Sequence, residues 1–202
     1  MSKRVYRYFY GFLDKQQSFL NRMAREGWRL VRTGRISYVF EPCQPDEYNY
    51  CVDFVAHKSP RASQDYQRFL DEMGYRVMTK PLNINYSIGK VRVRPWGEGW
   101  GKLATSPGAF NKELLIVEKK NDGKPFELHT TMEDRMAYYR IQRSAWGTVA
   151  LALAAFAVYS LVRYGWEWQA VALAVLALFH LWPAWQSHHI FKQLKARSEV
   201  ME

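Results

Sequence analysis

Two nearly uncharged apolar stretches near the C-terminus, residues 146–162 and 168–185, constrain this chain more than any other feature. A bilayer core is about 30 Å thick and a helix rises ~1.5 Å per residue, so roughly 20 apolar residues span it and ~17 is the lower limit. The first stretch, WGTVALALAAFAVYSLV, is hydrophobic all round a helix, which a surface helix with one buried face does not need. The second, WQAVALAVLALFHLWPAW, behaves alike apart from Gln169, His180 and Pro183. A transmembrane helical hairpin over residues 146–188 is the expectation.

The flanks set its orientation. Of the 8 tryptophans, Trp146, Trp166, Trp168, Trp182 and Trp185 stand at the ends of the two stretches, where amphipathic rings settle at headgroup depth. Arg135, Arg140 and Arg143 precede the first span, and Lys192, Lys195 and Arg197 follow the second. The short turn between them carries Arg163 and Glu167, one of each sign. The positive-inside rule then predicts a multi-pass protein of the cell membrane with both termini cytoplasmic, residues 189–202 forming a basic tail. The start, MSKRVYRYFYGF, has charge but no continuous apolar run after it, so no signal peptide is read.

Within the spans, Ala150 with Ala154 and Ala170 with Ala174 are each four apart, a spacing that lets helices approach closely. They predict helix packing inside the hairpin, or between two hairpins in a homodimer. His180 is an ionisable group inside a span, and a hydrogen bond to the partner helix is its expected role. Pro183 predicts a kink.

The chain has 29 Lys+Arg against 19 Asp+Glu, a formal charge of +10, most of it ahead of the first span. A basic domain beside a membrane is drawn to anionic headgroups, so the lipid bilayer is the expected partner. Nucleic acid is disfavoured, because no helix-turn-helix, zinc ligand set or aromatic RNA-binding motif accompanies the charge. Cys43 and Cys51 are the only cysteines and read as free cytoplasmic thiols. No further ligands of the right kind stand nearby for a metal.

Residues 1–129 contain an internal echo. FLNRMAREGWRLV and FLDEMGYRVM both place apolar groups on one helical face, a glycine (Gly27, Gly74) at the C-terminal cap, and an aromatic-Arg-apolar strand after it. Strand-like runs precede each helix, and Ser59 followed by Pro60 marks the second helix start. WRLVRTGRISYVFEP reads as two strands around a turn at Thr33-Gly34. The resulting order predicts a cytoplasmic α+β domain, a ferredoxin-like βαβ-βαβ sandwich. Residues 81–110 read as a loop or hairpin insertion, with alternation in INYSIGKVRVRP, and ELLIVEKK as a final strand. Thr130 and Glu133 fit a capping box for a stalk helix, residues 130–145, continuing into the first span.

These residues resemble the bacterial domain-of-unknown-function 2812 family. The resemblance rests on REGWRLV, YVFEPCQPDEYNYCVDF, the helix-then-GYRVM unit and KPFELHTTMEDRMAYYRIQR ahead of membrane helices. The sequence departs from the family pattern in a longer 81–110 stretch and in ELLIVEKK, where an aromatic-rich strand is expected. The resemblance implies a small membrane protein, sometimes encoded beside a PadR-like transcriptional regulator, with no established activity and no catalytic residues to carry over.

A search for chemistry finds no catalytic, cofactor-binding or metal-binding set. The run from Gly97 to Lys102, GEGWGK, has three residues between the outer glycines where a phosphate loop needs four, and Leu103 follows where Ser or Thr belongs. No nucleophile elbow or His-Glu-x-x-His helix occurs. The sequence therefore predicts a non-enzymatic, membrane-anchored binding or regulatory module with a protein partner or small ligand. Its expected binding face carries Tyr8, Tyr10, Tyr38 and Tyr50. The alternative is an accessory subunit of a membrane transporter or membrane-stress system acting through the hairpin.

Overall fold

A computed structural model divides the chain into two units, residues 1–130 and 131–202. The structure describes residues 2–55, 58–81, 86–88, 91–93, 103–104, 114–124, 126, 128 and 132–201, with the backbone alone at 60, 86–88, 91–93, 103–104, 132–133 and 200–201. The GEGWGK run and Thr130 lie outside the described residues.

In the first unit β1 (Lys3–Tyr6) leads to α1 (Leu13–Arg25), β2 (Trp28–Thr33), β3 (Ser37–Pro42), β4 (Tyr48–Phe54), α2 (Pro60–Glu72) and β5 (Arg76–Lys80). Then come β6 (Tyr86–Ile88), β7 (Val91–Val93), β8 (Leu103–Ala104) and β9 (Leu114–Lys120). The class is α+β, in the strand and helix order expected. Its strands divide between antiparallel sheets of order β1-β3-β2 and β4-β9-β5, with a short third sheet β6-β7-β8. The hairpin read from INYSIGKVRVRP is β6 and β7, paired from Tyr86↔Val93 to Ile88↔Val91.

The central place of β9 explains the second sheet. Leu114, Leu115, Ile116 and Val117 are apolar on both faces of the strand and all are buried, so β9 separates β4 from β5 and pairs with each.

Both helices end as their glycines require. After α1, Gly27 has φ +80° and its N–H bonds to the Ala24 carbonyl at 3.0 Å. After α2, Gly74 has φ +81°, with Gly74 N–H on the Asp71 carbonyl and Tyr75 N–H on the Leu70 carbonyl, the pair of bonds that defines a Schellman motif. At the start of α2 the Ser59 hydroxyl accepts from Ala62 N–H at 3.2 Å.

The apolar face of α1, with Phe19, Leu20 and Met23, is buried. Phe19 meets Phe9, Tyr38 and Phe40 at ring separations of 5.4, 5.5 and 6.0 Å, an aromatic core in tilted and edge-on contacts. The polar face of α1 closes the free edge of β4. The Asn21 amide donates to the Tyr50 carbonyl at 3.0 Å and accepts from Tyr50 N–H at 2.7 Å, as a neighbouring strand would, and Gln17 accepts from Val52 N–H at 3.1 Å.

The second unit is two helices, α3 (Met132–Tyr164) and α4 (Trp168–Met201), joined at Gly165 with φ +81°. α3 runs unbroken from the stalk region through the first apolar stretch, and α4 continues through Pro183. At ~1.5 Å per residue each is about 50 Å long. They pack antiparallel: Arg143 meets His188, and Trp146 meets His180. The less exposed residues of α4 recur at alternating spacings of three and four, namely Ala170, Leu173, Ala177, His180, Ala184, Ser187, Phe191 and Leu194. On α3 the matching row is Tyr139, Gln142, Trp146, Ala150, Leu153, Ala157 and Ser160. This is a coiled-coil-like seam, with alanines seven apart at 170, 177 and 184 of α4 and at 150 and 157 of α3.

Candidate functional site

The four tyrosines expected on one binding face do not share it. Tyr8 stands at the surface and packs edge-on against Tyr10 at 4.7 Å, and Tyr10 is half-buried with φ +53°. Tyr38 and Tyr50 are fully buried. Tyr38 lies under Phe19 of α1, and its removal from water raises its hydroxyl pKa well above the ordinary range. Tyr50 points between the sheets. Strand alternation identifies which residues share a face, but α1 packs over the face that the tyrosine pattern marks as open.

The interior holds a polar cluster that sequence reasoning missed. Glu118 on β9 is buried among Arg29, Tyr50 and Arg76. Arg29 donates to Glu118 Oε1 from Nε at 3.0 Å and Nη2 at 2.6 Å, and the Tyr50 hydroxyl donates to Oε2 at 2.9 Å. The same hydroxyl accepts from Leu30 N–H at 2.8 Å. Arg76 lies 3.7 Å from Oε1 and donates to the carbonyls of Leu30 and Val31, both at 3.2 Å. The bond to Glu118 holds the Arg29 pKa above its ordinary value, and burial raises that of Tyr50. Both carboxylate oxygens are occupied by groups of the same domain. The cluster therefore fastens β2 of one sheet to β4, β5 and β9 of the other.

A second fastening lies at the far end of β5. Lys80 is buried, its ammonium donating to the carbonyls of Gly34 at 2.6 Å and Arg35 at 2.8 Å and lying 4.4 Å from the Tyr38 ring centre. Burial lowers its pKa to about 8. Thr33 adds a hydroxyl bond to the Thr79 carbonyl at 3.0 Å. The available signal was a charged residue in register with a buried strand face: Glu118 follows Leu114 and Ile116 at spacing two.

In the hairpin, Trp166, Trp168, Trp182 and Trp185 face outward, whereas Trp146 is buried in the seam, 5.6 Å from the His180 ring. The His180 Nδ1 is 2.7 Å from the Leu176 carbonyl of its own helix, so Nδ1 carries the proton. Its contact with α3 is through the Trp146 ring and not the hydrogen bond expected. Ala150 and Ala170 are buried, but Ala154 and Ala174 are exposed; Ala157 and Ala177 take the inward places. Seven residues return to within about 20° of the same helix face, whereas four overshoot by about 40°.

The profile of the family described as "Protein of unknown function (DUF2812)" matches residues 12–151, more than half of the chain, from the first helix into α3. No curated protein and no solved structure matches the chain.

Proposed function

The chain belongs to this family of proteins of unknown function, DUF2812, and from that premise we propose that it is a membrane-anchored, non-enzymatic binding or regulatory module. The hairpin spans the membrane, with both termini and the α+β unit on the cytoplasmic side. One observation carries the reading. Over the helix regions Asp134–Tyr164 and Trp168–Glu199, only 28% and 22% of the apolar windows are buried, whereas a soluble core helix is mostly covered. Leu151, Phe156, Val162, Leu178 and Phe179 all face outward, an apolar surface that soluble monomers rarely leave to water. The basic residues at the open end of the hairpin support the orientation.

The test is extraction and labelling of the full chain. Membranes washed in alkaline carbonate should retain it, and release into the wash overturns the anchoring. In a background of Cys43→Ser and Cys51→Ala, Glu167→Cys should react with an impermeant maleimide on intact cells. Glu199→Cys should react only after permeabilisation. The reverse pattern overturns the orientation. The binding role requires a co-purifying protein or a ligand-dependent rise in melting temperature; a chain that purifies alone and responds to no extract fraction overturns it.

The outward-facing Ala154 and Ala174 favour a second reading, an accessory subunit docked on another membrane protein through its hairpin. Replacing the hairpin with an unrelated anchor separates the two, since only the accessory role is lost.

A further inference from the structure

The geometry points to a binding site for an anionic phospholipid headgroup at the open end of the hairpin, built on Arg140 and Arg143. This rests on the reading that the hairpin spans a membrane. The two guanidinium carbons lie 5.5 and 5.7 Å from the centre of one ring, Phe191 of α4. Two like charges held against one ring repel each other, and no carboxylate of a described residue lies within ion-pair distance of either. Elsewhere Lys195 has Glu199 at 3.7 Å and Arg29 has Glu118 at 2.6 Å.

Its remaining neighbours orient the pair without neutralising it. Arg143 Nη1 donates to His188 Nδ1 at 3.0 Å, which requires an unprotonated acceptor nitrogen and fixes one edge of the guanidinium fork. Arg140 is exposed and Arg143 half-buried, with exposed Lys192 following Phe191 in the chain. Depth selects the anion. Outward-facing Trp185 lies three residues, about 4.5 Å along α4, from His188, the partner of Arg143, so the arginines sit just beyond the tryptophan level, where lipid phosphates lie. Planar guanidinium matches phosphate oxygens in pairs. A phosphatidylglycerol-type headgroup fits better than a choline one, whose quaternary ammonium would be brought against these cations.

The full chain in non-ionic detergent, given equal phosphatidylglycerol and phosphatidylcholine, should retain the first preferentially by native mass spectrometry. Arg140→Gln/Arg143→Gln should reduce that preference about fivefold or more per arginine, with helix content unchanged by circular dichroism. Lys195→Gln/Arg197→Gln removes equal charge from the same end and should keep it. Equal loss in both double variants means diffuse attraction and overturns the site, as does an unaltered chain with no preference. Displacement of the lipid by millimolar inorganic phosphate overturns the lipid assignment. A chain that resists carbonate but shows no preference sinks the headgroup site alone, and one that carbonate extracts sinks the anchoring as well.

Discussion

Arg29 on β2 reaches the Glu118 carboxylate on β9 at 2.6 Å, so a single ion pair joins an edge strand of one sheet to the central strand of the other. The carboxylate is almost wholly buried, while Arg29 keeps 35% of its side chain in water. No backbone ladder pairs β2 with β5, where the two sheets meet; side chains do that work, through Arg76, Thr33 and Lys80 as well as Arg29.

Glu118→Gln should therefore destabilise the α+β unit toward the lower end of the ~3–5 kcal/mol typical of breaking a buried pair, since Arg29 can recover hydration. Tyr50 retains an acceptor in the glutamine, but Arg29 and Arg76 lose their counter-charge. Guanidinium unfolding of the full chain, read on its β signal, measures the change. A midpoint equal to that of the unaltered protein means that the pair contributes nothing.

Lys80 gives a pH dependence of definite sign. Its folded pKa, about 8, lies below the ordinary 10.5, so between those values the unfolded chain binds more protons than the folded one. Stability contributed by this group rises with pH across the interval, by on the order of 3 kcal/mol in all. Tyr38 and Tyr50 act oppositely above pH 10, because their burial keeps them protonated in the fold while the unfolded chain ionises. The comparison belongs between pH 7.5 and 9.5. Over that range the unfolding free energy of the unaltered protein should gain on that of Lys80→Met; parallel curves refute the assignment.

The two helix-ending glycines look alike in sequence and should respond differently. A Cβ at Gly27 would meet the Cys43 carbonyl oxygen at 3.1 Å, whereas one at Gly74 meets nothing within 4 Å. Both substitutions place alanine at positive φ, at about 1–2 kcal/mol. Gly27→Ala adds displacement of the Cys43 backbone, which also donates to the Gly27 carbonyl at 2.9 Å. It should lower the melting temperature more than Gly74→Ala; equal shifts count against the close approach.

That difference marks what was legible in the sequence. Ser59, Gly27 and Gly74 act on backbone groups a few residues away, so their chemistry could be read locally. The pairing of β4 with β9 joins Cys51 to Val117, and the choice of which tyrosines lie inside follows from α1 packing over Tyr38. Neither is encoded within one element. The Glu118 cluster likewise brings together four segments. In the hairpin, composition identified two apolar helices, but the seam depended on which alanines meet the partner helix.

The seam itself is testable through two alanines three residues apart. Ala177 is buried against α3, and Ala174 is exposed. Leucine at 177 must push the helices apart or twist out of its preferred rotamer, at about 1–3 kcal/mol. Leucine at 174 meets lipid or detergent and should be almost neutral. Thermal unfolding in detergent, read on helical ellipticity, should therefore separate Ala177→Leu from Ala174→Leu, with the first less stable. If the four-residue spacing governed packing instead, Ala174→Leu would be at least as damaging, because Ala170 and Ala174 would form the contact. The same pair bears on self-association. An outward Ala174 that closes a contact between two hairpins makes Ala174→Leu weaken a dimer on crosslinking while leaving the monomer's helix melting unchanged. Ala177→Leu, acting inside one hairpin, should do the reverse.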